Sequence, residues 1–98
     1  MDFTLNTEKR ESQIQTLTDS ILKLIKYNLS NGLRITEIEI PKEFAGDVKD
    51  KIDEVIKGKD FEWMIVRRGN NPYTGKVQHF ISETIGEVKY YKLKYHGD

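Results

Sequence analysis

The chain contains no cysteine. That excludes a disulfide framework, thiolate zinc sites and cysteine nucleophiles. Its longest uninterrupted apolar run is Trp63-Met64-Ile65-Val66, far short of the roughly 20 residues a membrane-spanning helix needs. There is no excess of either charge. Sixteen Lys and Arg balance sixteen Asp and Glu, so no global field draws the chain to nucleic acid or membrane. The stretch Met1 to Ser12 is polar and carries both signs. It does not read as a signal peptide, and without an export signal the expected location is cytoplasmic.

What is present fits one small α+β domain spanning residues 1–98, with residues 1–12 frayed or projecting into solvent. Charged residues make up 33% and hydrophobic residues 37%, but ten aromatics argue for a packed core over disorder. Residues 7–31 read as a helix. Ile14, Leu17, Ile21, Leu24 and Ile25 recur at spacings of three and four, flanked by Leu22 and Leu29. Thr7 is the expected cap, and Asn31-Gly32 a strong stop. Residues 33–40 read as a strand with Thr36, Ile38 and Ile40 on one side and Glu37 and Glu39 on the other. Leu33 and Ile35 are out of phase, which suggests a bend near Ile35.

Pro41 is expected to open a second helix running to Lys57, burying Phe44, Val48, Ile52, Val55 and Ile56. Asp47 with Lys51, and Asp53 with Lys57, are its expected ion pairs. Three strands follow, at 61–68, 76–83 and 88–95. The order α-β-α-β-β-β with consecutive hairpins implies an antiparallel meander with both helices on one face. The expected core comprises Ile21, Leu24, Ile25, Ile38, Ile40, Val48, Ile52, Val55, Trp63 and Ile65. The last strand reads as an edge guarded by Lys89, Lys92 and Lys94. Two helices cover one sheet face only, so the other is expected to expose aromatics and to support a homodimer or a protein partner.

No constellation of catalytic residues emerges. His79 sits mid-strand and His96 close to the last residue; no Gly-rich phosphate loop, HExxH or EF-hand pattern occurs. Glu37 and Glu39 lack a third ligand in register. The expectation is therefore no enzyme, no cofactor and no metal. Charge, though, is unevenly spread. Met1 to Glu62 holds ten Lys and Arg against thirteen Asp and Glu, whereas Trp63 to Asp98 holds six against three. Arg67, Arg68, Asn70, Tyr73 and Lys76 fall on one hairpin around Asn71-Pro72 and Gly75. Arginine offers a planar donor fork for anions and tyrosine a stacking face. Cations at hairpin ends also simply blunt a sheet edge.

The succession Asn31-Gly32, Ile38-Glu39-Ile40-Pro41-Lys42, the Val48 to Ile56 helix and Phe61-Glu62-Trp63 resembles the layout of many small phage and prophage accessory proteins. The resemblance covers about two thirds of the chain and carries over no functional residue. It implies a non-enzymatic binding protein that inhibits or modulates a host protein or defence pathway. The alternative expectation is a small module that binds nucleic acid or a nucleotide through the basic hairpin.

Overall fold

The structure, a computed structural model, describes the backbone of residues 3–97 and the side chains of residues 8–97. Helix α1 spans Phe3–Ser30, strand β1 Ile35–Pro41 and helix α2 Ala45–Ile56. The strands β2 (Phe61–Trp63), β3 (Arg67–Asn70), β4 (Val77–Phe80), β5 (Ser82–Ile85) and β6 (Val88–Tyr95) follow. The fold is a single small α+β domain with two helices and antiparallel strands. Its order is α-β-α-β-β-β once β2 with β3, and β4 with β5, are each read as one strand that changes partner midway.

Strand β6 lies at the centre of the main sheet, flanked by β1 on one side and by β2 and β5 on the other. This corrects the reading of the last strand as an edge. Tyr91 and Leu93 are buried, and both backbone edges of β6 are paired. On the far side, Phe61 faces Tyr95 and Trp63 faces Leu93. Met64 donates its N–H to the Lys92 carbonyl at 2.8 Å, and the register resumes with Ser82 opposite Tyr91 and Ile85 opposite Val88. Met64 and Ser82 thus occupy successive positions along one strand, and residues 65–81 are an excursion from it. The excursion is the separate β3–β4 hairpin.

Both helices pack on one sheet face. Thr36, Ile38 and Ile40 of β1 and Tyr91 and Leu93 of β6 point toward them. From the helices come Ile14, Ile21, Ile25, Ala45, Val48, Ile52 and Ile56. The α1 stripe runs through a polar position. Thr18 is buried because its hydroxyl donates to the Ile14 carbonyl at 2.7 Å, leaving no unpaired group. Asn28 similarly donates to the buried Thr36 hydroxyl at 3.1 Å. Three expected core residues lie outside. Leu24 and Val55 sit at the margins of their helical stripes and are 40% and 42% exposed, and Ile65, 48% exposed, has left the sheet for the hairpin. Trp63 is half-buried, donating its indole N–H to Asp53 at 2.6 Å beneath the Lys49 ammonium.

Several local expectations change. Helix α1 begins at Phe3, so Thr7 is inside it and does not cap it; the Thr7 side chain lies outside the described residues. Residues 8–13 are exposed, yet Arg10 anchors this end of α1 to the second helix region. It pairs with Asp47 at 2.9 Å and stacks on Phe44. Pro41 closes β1 and does not open α2. On an edge strand its missing N–H costs no ladder bond. Asp47 takes Arg10 and Asp53 takes Lys49 at 2.8 Å, in place of Lys51 and Lys57. No bulge forms at Ile35, which pairs in continuous register with Lys94 and faces away from the core.

That opposite sheet face is charged along its middle and apolar at its Ile85 end, with Tyr90 as its aromatic, which corrects the expectation that Phe61, Trp63 or Phe80 lies exposed there. Its rows are Ile35–Lys94–Glu62, Glu37–Lys92–Met64, Glu39–Tyr90–Glu83 and the apolar Pro41–Val88–Ile85. Phe61 and Trp63 turn to the helix side instead and pack against the core. The outer edge of β1 is unpaired. Pairing it antiparallel with a second copy about Ile38 would set Glu37 against Glu39, a like-charge contact that disfavours this mode of self-association.

Burial of Tyr91 raises the ionisation of its phenol above the usual 10.0, against a hydrogen bond with Ser82 that lowers it; the Asp50 and Asp53 carboxylates add to the rise. The sign follows from linkage. The neutral phenol's contribution is complete below the unfolded value near 10 and is lost as pH climbs through the raised folded value. The melting midpoint is expected to fall with rising pH above about 10, and Tyr91→Phe to flatten that part of the profile. An unchanged alkaline profile in the variant would contradict the assignment.

Candidate functional site

The hairpin of residues 65–81 stands apart from the core. None of the buried residues belongs to it. The radius of gyration is 15.7 Å, against about 13 Å for a compact domain of this length. The long α1 and this arm both extend the molecule.

The arm's tip is built by side-chain-to-backbone bonding. The Asn71 carboxamide oxygen accepts from the N–H groups of Tyr73 at 2.8 Å and Thr74 at 3.3 Å, an Asx turn. The Gly75 N–H donates to the Asn71 carbonyl at 2.8 Å, and the Asn71 N–H to the Lys76 carbonyl at 2.9 Å. Gly75 adopts φ of 70°, which glycine reaches without strain. The result is a loop fixed by its own bonds, from which Tyr73 projects with 95% of its surface exposed.

Cross-strand register places the remaining residues. Arg67 faces Phe80 and Gly69 faces Gln78 on one side of the ribbon; Arg68 faces His79 and Asn70 faces Val77 on the other. The five residues singled out from the sequence are therefore all on the arm but do not form one patch. Arg67 projects from one face, Arg68 and Asn70 from the opposite one, and Tyr73 and Lys76 lie at the tip. The Arg67 guanidinium sits 5.5 Å from the Phe80 ring centroid, a cation–π contact that holds it along the ribbon. Among the described residues, Arg67, Arg68 and Lys76 take part in none of the ion pairs. No carboxylate occurs between Glu62 and Glu83.

Sequence reasoning passed over the returning strand. Val77, Phe80 and Ile81 are exposed there, as is Ile65 on the outgoing side. For Ile65 the signal was the unalternating run Trp63-Met64-Ile65-Val66, which marks where the chain leaves the sheet. The other candidates resolve into ordinary contacts. His96 lies 3.4 Å from Glu62, and Glu37 pairs with Lys92 at 3.9 Å. Among the described residues no group of three potential ligands could hold a metal ion, and no helix is long and apolar enough to cross a membrane. No protein-family model, no curated protein and no solved structure matches the chain.

Proposed function

We propose that this chain is a non-enzymatic binding protein that engages an anionic surface of a macromolecular partner through the β3–β4 arm, in the manner of a small accessory factor acting in the cytoplasm. One observation carries the reading. A hairpin that contributes nothing to the core keeps three unpaired cations, a fully exposed tyrosine and no carboxylate. An isolated two-stranded ribbon gains little stability from its own contacts, so its exposed surface is explained by what it contacts outside the chain. The exposed Val77, Phe80 and Ile81 give it apolar area to bury as well.

The test is a double substitution of Arg67 and Arg68 by alanine. Exposed, unpaired charges contribute little to folding, so the melting midpoint is expected to stay nearly unchanged. Partner capture is expected to weaken by at least ~1 kcal/mol, the scale of a lost charge-assisted hydrogen bond. Undiminished capture by a normally folded double variant would remove the arm from consideration.

A further inference from the structure

We infer that the partner is double-stranded DNA and that the arm lies in a groove of the duplex with Arg67 directed to one phosphate backbone and Arg68 to the other. The inference rests on the reading of the arm as the contact element and goes beyond it by naming the partner.

The division of the cations between two faces is the discriminating feature. Arg67 and Arg68 are successive strand residues in register with Phe80 and His79, so their side chains leave the ribbon in opposite directions. A flat acidic patch on a protein meets one face of a ribbon and leaves the other guanidinium in solvent. A groove presents negative charge on both flanks. Its dimensions also suit the arm. The arginines leave through the two faces, so the ribbon stands edge-on; its thickness with side chains, roughly 10 Å, fits the major groove of B-DNA, about 12 Å wide, which admits a two-stranded ribbon.

The rest of the arm is consistent with that seat. Asn70, Gln78 and His79 are exposed on the same two faces as the arginines and carry hydrogen-bonding groups that can add to the contacts with the phosphate walls. Lys76 adds a third cation beside the tip, and the preformed turn presents Tyr73 without a further ordering cost. At the root the sign reverses. Glu37, Glu39 and Glu83, with Lys92 between them paired to Glu37, line the concave angle between the Val66 end of the arm and the open sheet face and leave it net acidic. Those carboxylates hold the body away from phosphate, so the arm alone enters. A single strand is a poorer fit. It is gripped by successive open aromatics, whereas Phe80 is shared with Arg67 and Tyr73 alone stands free.

The experiment is a fluorescence-anisotropy titration of the full chain against a labelled DNA duplex, with the matching single strand, an RNA duplex and polyglutamate as comparison probes. Three phosphate contacts predict a log–log salt slope of about −2.7, so affinity for the DNA duplex should fall about 40-fold between about 50 and 200 mM salt. Arg67→Ala and Arg68→Ala should each weaken binding and each flatten the slope by about 0.9. Tyr73→Ala should weaken binding with the slope unchanged, since it removes no charge.

Preference for polyglutamate, the single strand or the RNA duplex would overturn the inference, as would a dependence on only one of the two arginines. Failure of the two readings is distinguishable. If the duplex is not bound, but nuclease-resistant capture from a lysate is still lost in the Arg67, Arg68 double variant, the DNA assignment falls and the arm remains the contact element. If the double variant binds everything as the parent does, both fall.

Discussion

An Ile52→Ala variant is expected to lose about 2–5 kcal/mol of folding stability, the range for truncating a large aliphatic side chain in a core that cannot collapse around the gap. Ile52 is completely buried. It belongs to a helix whose inward stripe is Ala45, Val48, Ile52 and Ile56, and it shares one cluster with Ile21 and Ile25 of α1, Ile38 and Ile40 of β1, and Leu93 of the central strand. These neighbours are fixed from several directions, since β1 is paired along its length to β6 and α1 is tied to the α2 region through Arg10. None can move far into the vacated space. A domain of this size has a total stability of roughly 5–15 kcal/mol, so the loss should lower the melting midpoint by roughly 8–40 °C at about 4–8 °C per kcal/mol. Val55→Ala, one helical turn away in sequence terms but 42% exposed, should cost far less. Equal midpoints for the two variants, measured by thermal melts followed by circular dichroism, would contradict the core assignment.

The contrast between Ile52 and Val55 shows how far periodicity carries. Apolar residues at spacings of three and four located both helices and their inward sides, and alternation located β1 with Thr36, Ile38 and Ile40 inward. Periodicity does not fix the centre of a stripe when apolar residues flank it on both sides. Leu24 and Val55 look equivalent to Ile25 and Ile56 in the sequence, and only the position of the sheet separates them. Thr18 and Tyr91 were passed over for the converse reason. Each is polar; Thr18 is buried with its hydroxyl bonded to the Ile14 carbonyl, and Tyr91 is buried with its ring edge-on to Trp63.

Strand pairing was less legible than strand existence. Residues 61–68 and 76–83 have strand composition throughout, and nothing local states that each changes partner halfway. The central position of β6 is a non-local fact, set by the pairing of its two backbone edges with β1 on one side and with β2 and β5 on the other. The site residues were legible as turn chemistry and charge. Their division between two faces followed only when the register paired Arg67 with Phe80 and Arg68 with His79.

Excising residues 65–81 and joining Met64 directly to Ser82 is expected to leave a folded protein that no longer binds its partner. The splice is in register. Trp63 faces Leu93, Met64 bonds to Lys92, and Ser82 faces Tyr91, so the two segments become one uninterrupted strand beside β6. Side-chain alternation survives the join. Trp63 and Ser82 both point to the helix side, where Ser82 stays opposite Tyr91, while Met64 and Glu83 point away. No buried core residue is removed, and the lost backbone pairs are those of the arm with itself. Folding loses only the cost of ordering the hairpin, so the melting midpoint should hold or rise. Binding should drop to background, because Arg67, Arg68, Tyr73 and Lys76 go together. A spliced chain that fails to fold would show that the arm supports the sheet in a way its contacts do not reveal. A spliced chain that folds and still binds would place the contact surface on the body. The first outcome is checked by circular dichroism and the second by the same capture and titration used for the arginine variants. Because the deletion tests the arm whole and the substitutions test its charges, agreement between them would separate loss of contact from loss of structure.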